Sequence, residues 1–121
     1  MADFTTQGLD HVALSMSDLE RSERFYGEVL GLDRTYEQWH EPKFMVAECS
    51  GLALFSQDAH GDPSPRFLHV AFRVEREAFE TAQATLKRRG IEFRFSDHGI
   101  CHSIYFDDPD GHQIELTTYD V

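Results

Sequence analysis

Cysteine is scarce in this chain: Cys49 and Cys101 lie far apart with no paired spacing, which excludes a disulfide framework and a cysteine zinc site. Both are expected to be reduced thiols that fill the core. Long hydrophobic runs are missing too. No apolar stretch approaches the roughly 20 residues of a membrane span. The opening Met1-Ala2-Asp3-Phe4-Thr5-Thr6-Gln7-Gly8 has no basic region followed by an apolar one, so no secretory signal is expected and the expected location is cytoplasmic. Positive charge is in short supply, with 11 Lys and Arg against 22 Asp and Glu and a formal net charge of -11. That field repels phosphate backbones and anionic lipid surfaces, which need clustered basic side chains. Nucleic acid and membrane are excluded as partners, and a neutral or weakly acidic small molecule is expected instead.

Apolar residues make up 40% of 121 positions, ten of them Phe, enough for the core of one compact domain and too few for two independent ones. A single domain over 1–121 is expected. Its most informative feature is a pair of look-alike segments, Leu9-Asp10-His11-Val12-Ala13-Leu14 and Phe67-Leu68-His69-Val70-Ala71-Phe72. The two histidines stand 58 positions apart, and Gly31 and Gly90, which end the helices expected after them, stand 59 apart. This is an internal repeat, with module one at about 8–57 and module two at about 66–119. In the first, Asp18 reads as a helix N-cap, followed by Leu19, Tyr26 and Leu30 at helical spacing with Phe25 and Val29 widening the apolar face. In the second, a helix is expected over 77–89, with Phe79, Ala82 and Leu86 on one face.

Strands are expected at 34–37, 44–49 and 52–56 in the first half and at 92–95, 103–107 and 113–118 in the second. Each half therefore reads β-α-β-β-β, joined by the turn-rich stretch 57–66. Side chains alternate across a strand. Val12, Leu14 and Met16 should face a helix, as should Ile104 and Phe106, and Ile114 and Leu116. That places His11, His69, Tyr105 and Glu115 on the opposite, inner side. Two histidines and one carboxylate are what a mononuclear metal site with open positions requires.

These residues resemble the vicinal oxygen chelate superfamily, which includes glyoxalases, bleomycin-resistance proteins, fosfomycin-resistance enzymes and extradiol ring-cleaving dioxygenases. The resemblance spans Leu9 to Leu116: an Asp-His-Val opening, Arg24-Phe25-Tyr26 to Leu30-Gly31-Leu32, a His-Val-Ala-Phe second opening, and Asp108-Pro109-Asp110-Gly111 before Glu115. It implies an α+β fold in which paired βαβββ modules form a half-open mixed β-sheet cup, in a homodimer. It also implies His11, His69 and Glu115 as the metal ligands. Such a set suits Fe(II) or Mn(II), with Ni(II) or Zn(II) as alternatives, and it leaves positions for a small-molecule substrate bearing adjacent oxygens. Glyoxalases and epimerases take a fourth ligand from the last strand of the first module. Here that strand reads Leu52-Ala53-Leu54-Phe55-Ser56 and offers none.

His98, five intervening residues, Ile104-Tyr105, the Asp-Pro-Asp-Gly turn and Glu115 look like the extradiol dioxygenase series. By that resemblance Tyr105 and His98 are the catalytic residues, and a small extradiol-type dioxygenase, an oxidoreductase, is the expected enzyme. The acid-base histidine those enzymes place about fifteen positions before the second ligand is here Leu54, which would leave proton handling to His60, His98 or His102. The alternatives are a glyoxalase or epimerase, a fosfomycin-resistance-type lyase or transferase, and a metal-free binding protein of the bleomycin-resistance kind. Fosfomycin-resistance enzymes share the His, His, Glu set and the Ser-Ile-Tyr-Phe strand. They add basic residues that hold a phosphonate, whereas Arg94 is the one such residue near 93–97 here, so a phosphonate substrate is disfavoured.

Other residues have plainer readings. His112, of opposite parity to Gln113, is expected at the surface. Trp39 and His40 should lie in a loop, as a substrate wall or as a packing contact. Glu20, Glu23 and Glu28, interspersed with Arg21 and Arg24, are expected to form a solvated helix face.

Overall fold

The computed structural model describes residues 9–48, 50–57 and 69–121. Cys49, His60 and most of the expected 57–66 connection lie outside the described residues. The chain divides into two compact units, Met1–Pro63 and Ser64–Val121. The first contains β1 (His11–Met16), α1 (Leu19–Glu28), β2 (Asp33–Thr35), β3 (Lys43–Ala47) and β4 (Ser50–Ser56). Its sheet order is β1-β4-β3-β2, with β1 parallel to β4 and the other pairs antiparallel. The second contains β5 (Val70–Arg73), α2 (Arg76–Arg88), β6 (Arg94–Asp97), β7 (His102–Asp107) and β8 (Gln113–Thr118), in the order β5-β8-β7-β6 with the same directions. The expected βαβββ repeat is present in both units, and the class is α+β.

Local chemistry accounts for the element ends. Asp18 has an extended backbone and its carboxylate accepts a hydrogen bond from the Arg21 amide at 3.1 Å, capping α1. Gly31 (φ 69°) follows that helix in the left-handed conformation that suits glycine. Of the six strands with expected spans, β8 matches and the other five differ at their ends, three of them for identifiable reasons. Tyr36 (φ 56°) and Glu48 (φ 46°) leave the extended region, so β2 and β3 stop before them. β6 runs to Asp97, not Phe95, because its register with β7 continues from Arg94 opposite Tyr105 to Asp97 opposite His102, and the His98 amide closes the turn on the Cys101 carbonyl at 2.9 Å.

Alternation along the strands sorts the side chains as their spacing suggests. Leu14 and Met16 are buried while His11 and Ala13 are exposed. Ile104, Phe106, Ile114 and Leu116 are buried in the second unit, where α2 packs on β8 through a face that includes Phe79 and Leu86. Burying apolar surface at about 25 cal/mol per Å² is what holds each helix to its sheet. Cys101 is a buried free thiol, as expected.

Two expectations are corrected. His112 is 2% exposed: its Nδ1 lies 2.8 Å from Asp108 Oδ2, and Asp108 Oδ1 accepts from the backbone amides of Asp110 and His112 at 2.9 and 2.8 Å. Strand parity could not anticipate this, because the residue belongs to a turn that folds onto its own aspartate. The α1 face is likewise not simply solvated. Glu23 reaches Arg34 Nη1 at 2.8 Å and the buried Lys43 Nζ at 3.4 Å.

Candidate functional site

In the second unit, the antiparallel register of β7 and β8 sets Tyr105 opposite Glu115 and Ser103 opposite Thr117. The parallel register of β5 and β8 sets Ala71 opposite Glu115, which leaves His69, two residues earlier, on the same face. The result is a compact polar cluster on a sheet that is otherwise apolar toward its helix. His69 Nε2 lies 3.0 Å from Glu115 Oε1, and Ser103 Oγ donates to Glu115 Oε2 at 2.6 Å. Ser103 Oγ is also 3.1 Å from Thr117 Oγ1, and Thr117 Oγ1 lies 3.4 Å from the His102 carbonyl. Ser103 is fully buried and Glu115 is 8% exposed. A carboxylate so enclosed needs bonds to both oxygens or a cation, since burying an unpaired charge costs several kcal/mol.

Tyr105 stands at the edge of this cluster. His98 Nε2 lies 3.1 Å from its hydroxyl, the His69 ring meets it edge-on at 5.8 Å, and the Arg94 guanidinium sits 4.6 Å from its ring centre. Arg94 arrives there because β6 pairs it directly with Tyr105. Burial, then the neighbouring Glu115 carboxylate, push the Tyr105 phenol above its ordinary value, outweighing the Ser103 hydrogen bond and the Arg94 charge that act the other way. Tyr105 is therefore a protonated phenol at neutral pH, able to donate. His98 is held by the β6–β7 turn, in which Asp97 Oδ1 accepts from the Gly99 amide at 2.8 Å. His102, by contrast, lies 3.4 Å from Asp97 and does not join the Tyr105 group.

In the first unit, His11 opens β1 with its ring exposed. Its Nδ1 is 2.8 Å from Asp10 Oδ2, and Phe44 meets its ring edge-on at 5.0 Å. That carboxylate contact engages Nδ1, the kind of partner that orients an imidazole whose other nitrogen could serve as a ligand. Within each unit, no three His, Cys, Asp or Glu among the described residues gather closely enough to hold an ion. His69 and Glu115 form a pair. They lie 3.0 Å apart, and an imidazole nitrogen beside a carboxylate oxygen is a donor pair that would suit a divalent metal. The donor set fits a metal of that kind.

Ser103 and Arg94 join the Glu115 and Tyr105 cluster without having been expected as site residues. Ser103 shares the parity of Tyr105, and that was the available signal; its bond to Glu115 depends on the strand register. Trp39 lines a cavity of the first unit together with His11, whereas His40 is exposed and does not.

A paired-module fold with this cluster defines a class, and the profile of the Glyoxalase/Bleomycin resistance protein/Dioxygenase superfamily matches residues 8–116. The chain belongs to that superfamily, the vicinal oxygen chelate proteins. It is 32% identical over 113 residues to glutathione transferase FosA of Serratia marcescens, covering 91% of this chain and 79% of that protein. It is also 32% identical over 119 residues to metallothiol transferase FosB of Staphylococcus saprophyticus, covering 93% and 77%. Among solved structures, fosfomycin resistance protein FosX of Mesorhizobium loti superposes with a TM-score of 0.74 at 28% identity, covering 94% of this chain and 93% of that one.

These relatives overturn the expectation of an extradiol dioxygenase. Two are named as transferases and none of the three as an oxidoreductase. The site agrees with the correction in one respect: the position of the dioxygenase acid-base histidine is Leu54, fully buried within β4. By the resemblance, the Ser-Ile-Tyr-Phe strand and Glu115 belong to the fosfomycin-resistance pattern as well as to the dioxygenase series, so they do not choose between the two.

Proposed function

We propose that this chain is a metal-dependent enzyme of the fosfomycin-resistance kind, which adds a small nucleophile, a thiol or water, to an electrophilic small molecule with neighbouring oxygens. His11, His69 and Glu115 are the proposed ligands of a divalent metal, and Tyr105 and His98 the proposed catalytic residues. The single domain is proposed to work as a homodimer in the cytoplasm. The observation that carries the reading is the division of labour at Glu115: one oxygen faces His69 Nε2 at 3.0 Å while the other is tied to Ser103 at 2.6 Å, with Tyr105 opposite it in the sheet and the Arg94 guanidinium over the Tyr105 ring.

When bound, the metal supplies Lewis acidity and a template for oxygen atoms; Mn(II) suits two imidazoles and a carboxylate. The residues do the rest. Arg94 offers the bidentate fork that an anionic substrate head requires, a local exception to the acidity of the whole chain. The nucleophile forms its bond to carbon as a carbon–oxygen bond breaks, and the released oxygen takes the proton of Tyr105 Oη. His98 Nε2, 3.1 Å from that hydroxyl, relays the nucleophile's proton back to it, so no net proton is consumed. General-acid assistance of this kind contributes about 10² to 10⁴ in rate.

The test is direct. Purified protein loaded with Mn(II) is incubated with fosfomycin and, separately, glutathione, L-cysteine or buffer alone, and the phosphonate is followed by ³¹P NMR. A new resonance that requires the metal and disappears in Glu115→Gln supports the proposal. Stoichiometric metal uptake with every phosphonate unchanged would discard the substrate class, and absence of uptake would discard the metal reading as well.

A further inference from the structure

We propose that the second unit carries a pocket for a small aromatic amine on the helix-covered face of its sheet, the face turned away from Tyr105 and Glu115. A cavity of about 210 Å³ lies there, bounded by α2, the strands β6 to β8 and the residues after β8, with Phe79, Phe95, His102, Thr118 and Asp120 in its lining. Three rings enclose it. Phe79 meets Phe95 at 6.3 Å, and Phe95 meets His102 edge-on at 5.3 Å. Phe95 is the residue that calls for an explanation. Its register opposite Ile104 puts it on the face where Ile104, Phe106, Ile114 and Leu116 are buried, yet Phe95 itself is 49% exposed. A cavity of about 150 Å³ with apolar walls accepts one benzene ring. This one therefore has room for a ring with a short substituent.

The polar groups around those rings are set to accept hydrogen bonds. Asp120 donates its backbone amide to Thr118 Oγ1 at 3.2 Å, which holds the residue at the cavity, and its carboxylate has no ion pair among the described residues. Gln83 Nε2 donates to the Phe79 carbonyl at 3.5 Å, leaving its amide oxygen for a ligand. Charge points the same way. Two carboxylates of the lining, Glu80 and Asp120, stand against one guanidinium, Arg76, which is already 3.7 Å from Glu80. The imidazole of His102 has a carboxylate neighbour of its own, Asp97 at 3.4 Å. In a chain of net charge -11 such a lining opposes an anion and attracts an ammonium group. An aromatic ring packs edge-to-face with the phenylalanines, and its protonated amine answers Asp120. The pocket also backs onto the polar cluster. Phe95, His102 and Thr118 adjoin Arg94, Ser103 and Thr117 in the chain, and strand alternation turns those three to the side of Tyr105 and Glu115.

Benzylamine, benzyl alcohol and benzoate are titrated to about 20 mM into metal-free, ¹⁵N-labelled protein, and ¹H–¹⁵N spectra follow the backbone amides of Phe95, His102 and Thr118. Expected is saturable binding of benzylamine that moves these resonances, about 3- to 10-fold tighter than the alcohol and with benzoate weakest. Asp120→Asn, at an exposed position, should bring benzylamine down to the affinity of the alcohol. Phe95→Ser should abolish binding of both, with circular dichroism unchanged. Benzoate binding as tightly as the amine, or benzylamine binding Asp120→Asn as tightly as the parent, would overturn the proposal. Shifts that grow without saturating, or that fall on first-unit residues alone, would overturn it too. Neither metal, thiol nor phosphonate is present, so the proposed transferase activity can fail while this pocket stands, and the reverse.

Discussion

Ser103 and Glu115 meet diagonally across β7 and β8 with 2.6 Å between hydroxyl and carboxylate, both buried, while the other carboxylate oxygen meets His69. Serine is too small to fill a core and too polar to be left there unpaired. Its place is explained by the carboxylate it orients.

Ser103→Ala should therefore act through Glu115. The carboxylate loses a charge-assisted bond, and metal affinity should fall about 10- to 100-fold, as for other ligands deprived of their supporting partner. Folding stability should fall by about 1–3 kcal/mol as a buried acceptor goes unsatisfied. Mn(II) titration followed by electron paramagnetic resonance, with urea unfolding in parallel, checks both. Unchanged metal affinity would show that Ser103 is a structural neighbour alone.

Tyr105→Phe keeps the ring under Arg94 and beside His69 but removes the proton. The turnover rate should drop by about 10²-fold or more with Mn(II) affinity within a factor of about three of the parent. Steady-state kinetics beside the same titration decides it, and full activity would remove Tyr105 from the proton path.

Lys43 is 7% exposed and relies on Glu23 at 3.4 Å, with Glu20 at 4.0 Å. Glu23→Ala should destabilise the first unit by about 3–5 kcal/mol, because the lysine charge is left buried without its main partner. Chemical denaturation measures this, and a loss below about 1 kcal/mol would mean that the pair is screened as surface pairs are.

The same pair predicts a pH effect. Burial raises the Glu23 carboxyl, but the Arg34 hydrogen bond and the Lys43 and Arg34 charges outweigh it and hold the folded value below the ordinary 4.5. A lowered folded value stabilises the protein above the unfolded value, and that stability is lost as pH falls through the folded one. Unfolding free energy should thus decline below about pH 4.5, and the Glu23→Gln difference from the parent should shrink over the same range.

Asp108 accepts from two backbone amides and faces the His112 ring. Asp108→Ala should cost about 2–4 kcal/mol by orphaning buried donors. It should also lower Mn(II) affinity indirectly, since this turn sets the register that brings Glu115 to its place. Thermal unfolding and metal titration read the two effects apart.

Much of the architecture was legible without coordinates, because a histidine-led strand followed by a capped helix and three short strands occurs twice. The positions where the reading failed have common causes. His112 was assigned by strand alternation although it lies in a turn, where a side chain follows local hydrogen bonds instead. The ends of β2 and β3 depend on Tyr36 and Glu48 adopting left-handed backbones, which neither residue type advertises. The dioxygenase expectation rests on the His98, Tyr105 and Glu115 spacing, which fixes side-chain placement but not the reaction.

Periodicity by itself determined the strand, helix and three-strand order of each half and the faces on which His11, His69, Tyr105 and Glu115 lie, since side-chain direction in a strand follows from residue parity alone; the fold class came with the family resemblance. Tertiary structure alone decided which atoms meet: the Ser103 bond to Glu115, the Arg94 cap on Tyr105 and the Phe44 ring beside His11. Those contacts depend on strand register and loop conformation, which are properties of the assembled sheet and not of any one segment.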